Sequence, residues 1–174
     1  LDIPSEPADS VVRQEAKLQA YPLIKVGEIL WTYMGDPANR PPEPAWEFAT
    51  VKPEQTVSTK RLQESNWLQG LEGGIDSSHV SWLHSMELER DPLFKGAKAN
   101  KFNMGDMKPV FEVRESDGGL YVAARRKVDG GKNYWRITQW VMPCFTMIAP
   151  RADHPQHGHF WVPINDENLS LIHI

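Results

Sequence analysis

The segment that most limits what this chain can fold into is NWLQGLEGGIDSSHVSWLH, at positions 66–84. Gly70, Gly73 and Gly74 weaken a regular helix, because glycine loses more conformational freedom on folding than any other residue. The two serines that follow Asp76 favour caps and turns over a helix interior. The segment therefore predicts a helix that is distorted or broken partway along.

Asp76, His79 and His84 place one carboxylate and two imidazoles within nine residues of this segment. Two histidines and one carboxylate form the ligand set that leaves open positions on non-haem iron(II). Asp76 and His79 are three residues apart and share one side of a helix. His79 and His84 are five residues apart, and five steps of about 100° leave them about 140° apart, so both reach one metal only if the helix ends or bulges between them. Two histidines at this spacing are by themselves more often structural than metal-binding.

Composition excludes several classes of function. The 174 residues suit one domain of ordinary size, and a net charge of −4 with a pI of about 5.9 does not indicate nucleic-acid binding. No apolar run approaches the ~20 residues needed to cross a bilayer. Cys144 is the single cysteine, so these residues form no internal disulfide and no cysteine-based zinc or iron–sulfur site. We therefore expect a cytoplasmic protein.

Turn-forming residues divide the chain into short strands around this helix. Residues 21–35 predict a hairpin, and the proline-rich stretch 36–44 predicts a connector between domains. Residues 85–107 show little periodicity and predict a long functional loop. Further strands are predicted at 56–62, 111–115, 120–128, 133–141, 145–149 and 159–164. Several antiparallel strands and one long helix give an α+β fold.

A set of short motifs makes the pattern around the two histidines far more specific. The pieces are Asn66-Trp67, Glu72, Asp76-x-x-His79-x-x-x-x-His84, Tyr134-Trp135-Arg136 and Trp161-Val162-Pro163-Ile164. Together they resemble the iron-site segment of the Rieske non-haem iron oxygenases, the ring-hydroxylating oxygenase alpha subunits, and the resemblance spans residues 21–168. Gly73 stands where many ring dihydroxylases carry asparagine. This departure favours the phthalate 4,5-dioxygenase branch, which includes aromatic-acid O-demethylases.

The resemblance implies a role for each residue of the Asp76–His84 frame. His79 and His84 would ligate a mononuclear Fe(II), and the third ligand, a carboxylate, would come from a helix outside this chain. Asp76 would hydrogen-bond a ligand histidine and form the electron-transfer bridge to the Rieske cluster of a neighbouring subunit. A carboxylate in this position also orients its histidine and raises its basicity.

The resemblance also implies the cofactors and partners of the whole enzyme. Electrons from NAD(P)H would pass through a separate reductase and a [2Fe–2S] Rieske cluster, whose ligands are absent from this chain. The iron would activate O2 to hydroxylate or O-demethylate an aromatic carboxylate. Subunits would assemble as a homo-oligomeric ring of the trimer type, because the cluster of one subunit serves the iron of the next.

Three segments follow from the same resemblance. Residues 1–44 would be the end of a β-rich Rieske domain with the proline-rich connector, and residues 45–168 part of the catalytic domain, a curved antiparallel sheet gripping a helix. Residues 169–174, LSLIHI, match the translation of a common transposon sequencing-adaptor end. We interpret them as a cloning or assembly scar, in place of an ordinary apolar strand end, and exclude them from the predicted fold. The chain is then a translated piece of a longer protein.

Candidate substrate contacts lie on two predicted strands and beside the bridging carboxylate. Arg126 and Arg136 each share a strand face with apolar and aromatic neighbours at alternate positions. Either arginine offers a bidentate fork for the carboxylate of an aromatic acid. Ser77 offers a hydrogen bond to substrate. The alternative stays open that the arginines are solvated or structural and that Ser77 caps a turn.

Two other functions are compatible with the sequence. His154, His157 and His159 in HPQHGH resemble the metal-binding cluster of a cupin-like site, unless they form a solvated loop. A cupin also needs a glutamate a few residues on and a distant third histidine; Glu167 is present, but His173 lies in the suspected scar. The other alternative is a non-catalytic ligand-binding module on the same sheet-and-helix scaffold. A Cys-x-His and Cys-x-x-His pair upstream of residue 1 would discriminate the oxygenase from this module.

Overall fold

The computed structural model describes residues 2–90, 95–150 and 156–174, with the backbone alone at 87–89. Contacts divide the chain into two compact units, one ending at Pro53 and the other beginning at Glu54. The division lies downstream of the connector at 36–44, where the sequence predicts the domain boundary.

The first unit contains the predicted hairpin. Strands β1 (Leu23–Val26) and β2 (Ile29–Thr32) pair antiparallel, and the two residues between them, Gly27 and Glu28, both have left-handed backbone angles, with φ of 59° and 64°. Such angles match the twist of a two-residue hairpin turn. The hairpin is preceded by a short helix, α1 (Val11–Glu15).

Within the described residues, the second unit contains four short α-helices and seven strands. The helices are α2 (Trp67–Ile75), α3 (His79–Trp82), α4 (Ser85–Arg90) and α5 (Asn100–Gly105). The strands are β3 (Thr59–Gln63), β4 (Val110–Ser116), β5 (Gly119–Val128), β6 (Lys132–Val141), β7 (Phe145–Met147), β8 (Gly158–Pro163) and β9 (Leu169–His173). Helices α4 and α5 lie within residues 85–107, where the sequence predicts a long loop, and residues 91–94 of that stretch are outside the described residues. That prediction was wrong because helices this short carry too little apolar periodicity to be recognised.

All seven strands form one antiparallel sheet in the order β3-β9-β8-β7-β6-β5-β4. The β4–β5 turn ends at Gly119, whose φ of 148° and close approach to the Trp140 carbonyl leave no room for a Cβ atom. The turn between β5 and β6 contains Gly130 and Gly131, with φ of 74° and 70°. Turn glycines therefore set these hairpins. The antiparallel sheet with helices confirms the predicted α+β fold.

Strand β9 corrects one part of the prediction. Residues 169–174 were excluded from the fold, yet Leu169–His173 pairs with both β3 and β8 inside the sheet. Leu169 and Leu171 are 0% and 2% exposed and belong to the main apolar core. The exclusion was wrong because an alternating apolar segment fills a strand position whatever its origin. The interpretation of these six residues as a scar stays a prediction.

Helix α2 lies directly on the sheet, and glycines make this close approach possible. A Cβ atom at Gly70 would lie 2.6 Å from Trp161 on β8, and one at Gly74 would lie 2.9 Å from Thr146 and 3.1 Å from Trp161. The Trp161 indole N–H donates to the Thr146 hydroxyl at 2.8 Å, which fixes the ring beneath the helix. Gly73 has open space at the position of its Cβ. The sheet therefore grips α2 through two of its three glycines.

We expect Gly70→Ala and Gly73→Ala to change stability in opposite directions. The first forces a methyl group against the buried Trp161 ring and should lower the free energy of unfolding by about 1–3 kcal/mol, the usual effect of overpacking. The second adds helix propensity in open space and should raise it by up to about 1 kcal/mol. Urea unfolding of both variants measures the difference. Equal effects in the two variants would show that α2 does not depend on this contact.

Candidate functional site

The break between α2 and α3 is organised by Asp76. Its backbone N–H donates to the Glu72 carbonyl at 3.1 Å and closes the last turn of α2. Its carboxylate then accepts the N–H groups of Ser78 at 2.8 Å and His79 at 3.0 Å. One residue thus ends the first helix and caps the next, so the predicted break of the helix is confirmed.

The broken helix brings the two predicted ligand histidines together. Helix α3 ends at Trp82, so His84 leaves the helical path, and the rings of His79 and His84 lie with centroids 5.1 Å apart at an interplanar angle of 67°. Two imidazoles bound to one metal at about 2.1 Å, with bond angles of about 90–110°, have centroids about 4.6–5.3 Å apart. The observed separation fits chelation of one metal ion by this pair.

Asp76 lies beside His79 on the side of the ring away from its Nε2 atom. Asp76 Oδ2 is 3.3 Å from His79 Nδ1, but the N–H direction is not aligned for a hydrogen bond, and this buried Nδ1 has no other partner. A hydrogen bond between these two atoms would fix the tautomer that leaves Nε2 for a metal. Among the described residues, no three carboxylate, histidine or cysteine side chains are arranged to hold one metal.

Both histidines and Asp76 line a cavity of about 620 Å³ in the second unit. Its volume is that of an ordinary small-molecule site. Beyond these three residues and the helix glycines, its polar and aromatic lining includes Arg61, Gln63, Asn103, Arg136, His157, His159, Trp161 and His173. The sequence analysis missed Arg61, Gln63 and Asn103. Strand alternation gives a signal for the first two, because Arg61 and Gln63 are two residues apart on β3 and point to one face.

The histidines of the alternative cupin-like site line the same cavity. His159 and His173 are directly paired on β8 and β9, with ring centroids 4.4 Å apart. Burial lowers the pKa of His159 to about 4, and the charges of His173, His157 and Arg61 act in the same direction. His159 is therefore neutral at physiological pH. His154 lies outside the described residues.

The three predicted substrate contacts divide into two groups. Arg136 lines the cavity, and its Nη1 lies 3.3 Å from the Ser77 hydroxyl and 3.4 Å from that of Thr138. Arg126 and Ser77 are both 0% exposed and are absent from the cavity lining. The donors of Arg126 point to protein oxygens on Ser77, Ser81 and Asp106. This geometry argues against direct contact of Arg126 or Ser77 with a substrate.

Comparison with known proteins places this site in a family context. Residues 32–174 match the family described as LigXa C-terminal domain like. The match includes both histidines, the cavity lining and the six terminal residues.

Curated relatives are oxygenase subunits. The chain is 36% identical to the phthalate 4,5-dioxygenase oxygenase subunit of Pseudomonas putida, over 98% of this chain and 40% of that protein. It is 31% identical to the 3-chlorobenzoate-3,4-dioxygenase oxygenase subunit of Comamonas testosteroni, over 98% of this chain and 39% of that protein. It is 28% identical to the 5,5'-dehydrodivanillate O-demethylase oxygenase subunit of Sphingobium sp. (strain NBRC 103272 / SYK-6), over 92% and 35%. The chain thus spans about two fifths of the length of these relatives. Within the described residues, no helix has the length and apolar character to cross a membrane.

Proposed function

Because this chain belongs to the LigXa C-terminal-like family and is related to Rieske-type oxygenase alpha subunits, we propose that it forms the metal-binding part of such a subunit. The complete enzyme would use O2 to hydroxylate or O-demethylate an aromatic carboxylate. The observation that carries the proposal is the pair of imidazoles, His79 and His84, held at chelating distance on the wall of a cavity of small-molecule size.

The donor set suits iron(II). His79 and His84 would hold the metal, and a carboxylate from outside the described residues would complete the set, since those residues contain no third ligand. Bound in this way, the iron supplies the oxygen chemistry. The residues of this chain would orient the imidazoles, and the cavity walls would exclude water from the reacting positions.

Asp76 would orient His79 and carry the electron-transfer bridge. Its carboxylate lies 3.3 Å from His79 Nδ1, and it also caps the helix that carries the ring. Its side chain is 41% exposed, so one edge stays accessible to a group from another subunit. We propose that a [2Fe–2S] Rieske centre of a neighbouring subunit, reduced by NAD(P)H through a separate reductase, approaches there in a ring-shaped homo-oligomer.

Arg136 would bind the carboxylate of the substrate. It lies on β6 opposite Ala124, lines the same cavity as the two histidines, and its Nη1 lies 3.3 Å from the Ser77 hydroxyl and 3.4 Å from the Thr138 hydroxyl. A carboxylate would be a stronger acceptor for it than either hydroxyl. The names of two relatives, which act on phthalate and 3-chlorobenzoate, are consistent with an acidic aromatic substrate.

Titration calorimetry with phthalate on the Co(II)-loaded chain tests this proposal. We expect phthalate to bind, its uncharged diamide to bind far more weakly, and Arg136→Gln to weaken phthalate binding by about 10–100-fold, the effect of losing one charged hydrogen-bond partner. Arg114→Gln is the matched control, because Arg114 lies on the exposed edge strand β4. Equal affinity for the diamide, or no effect of Arg136→Gln, would exclude this assignment.

A further inference from the structure

We propose that Arg126 is a positioning residue for the metal site: its guanidinium fixes the break between α2 and α3 and thereby sets the direction of the His79 ring. The inference rests on the proposed metal site and adds a residue that neither binds the metal nor lines the cavity.

Arg126 connects three separate parts of the chain from inside the sheet. It lies on β5, opposite Tyr134, and is 0% exposed. Its Nε donates to the Asp106 carbonyl at 3.0 Å, just beyond α5. Nη2 donates to the Ser77 carbonyl at 2.7 Å and lies 3.3 Å from the Ser81 hydroxyl, and Nη1 lies 3.3 Å from the Ser77 hydroxyl. The guanidinium therefore has partners on all three nitrogens.

These partners lie on both sides of His79. Ser77 precedes it by two residues in the helix break, and Ser81 follows it by two residues in α3, and both serines are 0% exposed. The Ser81 hydroxyl donates onward to the Asn103 carbonyl of α5 at 2.8 Å. Arg126 thus holds the backbone immediately before His79 and the helix turn immediately after it.

Helix α3 needs such support because it is only four residues long. A helix of this length does not hold its shape by its own hydrogen bonds, since nucleation is unfavourable. The Asp76 cap fixes where the helix starts. The Arg126 contacts fix where it lies against β5, so a small shift of this guanidinium would rotate the imidazole relative to that of His84.

The fork of arginine suits this role better than lysine. Four contacts to three segments require donors that diverge in one plane, and an ammonium group offers a single point of attachment. Burial lowers the pKa of Arg126, and this effect is opposed by the charges of Tyr134, Asp106 and Asp76. A buried cation of this kind is a poor source of net stability. Its position in the fold is better explained by the geometry that it imposes on its neighbours.

The adjacent residue offers a matched control. Arg125 directly precedes Arg126 on the same strand but points to the opposite face of the sheet. There its guanidinium carbon lies 5.9 Å from the ring centroid of Trp135. Substitution at 125 removes the same charge from the same strand without touching Ser77 or Ser81.

The test compares Arg126→Gln, Arg126→Lys and Arg125→Gln with the unmodified chain, each titrated anaerobically with Co(II). We expect Arg126→Gln and Arg126→Lys to weaken Co(II) binding by about 10–100-fold, the range for partners that orient a ligand. At saturating Co(II), their visible absorption bands should also change in position and intensity. Arg125→Gln should match the unmodified chain in both respects. A purely structural role would lower the unfolding midpoint and leave the bands of the saturated, folded site unchanged.

Two further arms keep the outcomes separate. His79→Ala tests the metal site itself. If the unmodified chain binds Co(II) no better than this variant, the proposed function fails. The inference is then judged on hydrogen exchange of the Ser78 and His79 amides, which should be faster in Arg126→Gln than in Arg125→Gln. If Arg126→Gln does not fold, Ser81→Ala removes one contact and should shift the bands in the same direction. Unchanged bands, or unchanged exchange in the metal-free case, would overturn the inference.

Discussion

Replacing His79 or His84 by alanine is expected to abolish specific metal binding by this chain. Each imidazole supplies one of the two donors at the 5.1 Å ring separation, and one remaining histidine cannot chelate. Changing a residue that merely orients a ligand reduces metal affinity by about 10–100-fold, so removing a ligand should reduce it by at least about 100-fold. Anaerobic titration with Fe(II) or Co(II), with bound metal measured after desalting, gives the result.

His157→Ala is the matched control for this experiment. His157 lines the same cavity but belongs to the cluster at 157, 159 and 173, which offers the alternative cupin-like site. We expect its loss to leave metal affinity within a few-fold of the unmodified chain. If His157→Ala abolishes metal binding and His79→Ala retains it, the metal binds at the histidine cluster that contains His157. The oxygenase assignment of His79 and His84 then fails.

Asp76→Asn should produce a different result, in which metal is retained and turnover is lost. Asparagine keeps one oxygen for the Ser78 amide and remains a good helix cap, so α3 should persist. The charge that lies 3.3 Å from His79 Nδ1 is removed. We expect metal affinity to fall by no more than about 10–100-fold, and product formation in a complete oxygenase assembly to fall by more than metal occupancy explains.

Metal content and single-turnover product, measured on the same preparation, separate the two effects. Glu72→Gln is the control, because Glu72 lies on the exposed side of α2 and its carboxylate is one turn before Asp76. Loss of metal from Asp76→Asn on the scale expected for His79→Ala would identify Asp76 as a metal ligand itself, and the bridging role would then have to be abandoned.

The parts of the site that depend on nearby residues were predictable from the sequence. Asp76, His79 and His84 lie within nine residues, and the conflict between the spacing of the two histidines and a regular helix indicated that the helix ends between them, as α3 does at Trp82. The hairpins were predictable for the same reason, because glycine-containing turns act locally. In contrast, the short helices α4 and α5 have too few residues for a recognisable period.

The tertiary contacts were not predictable. Strand alternation correctly places Arg126 on the inner face of the sheet, but its partner Ser77 is 49 residues away in the chain. Nothing in the sequence indicates that one inward arginine meets the helix break while Arg136, on the next strand, reaches the cavity. Such assignments depend on the register between β5 and β6 and on how closely α2 approaches Trp161, and both are set by packing of the whole unit.

The strand order has a consequence for the sequence of events during folding. Strands β4 to β6 are joined by tight turns and pair with their neighbours in the chain. In contrast, β3, the first strand of the second unit in sequence, pairs with β9, the last. Local hairpins form before pairings that close long loops. Helix α2 follows directly after β3, so its docking on Trp161 awaits that late pairing. We therefore expect α2 to dock last, so that a metal ion at the proposed site would enter a sheet that is already built and would not nucleate it.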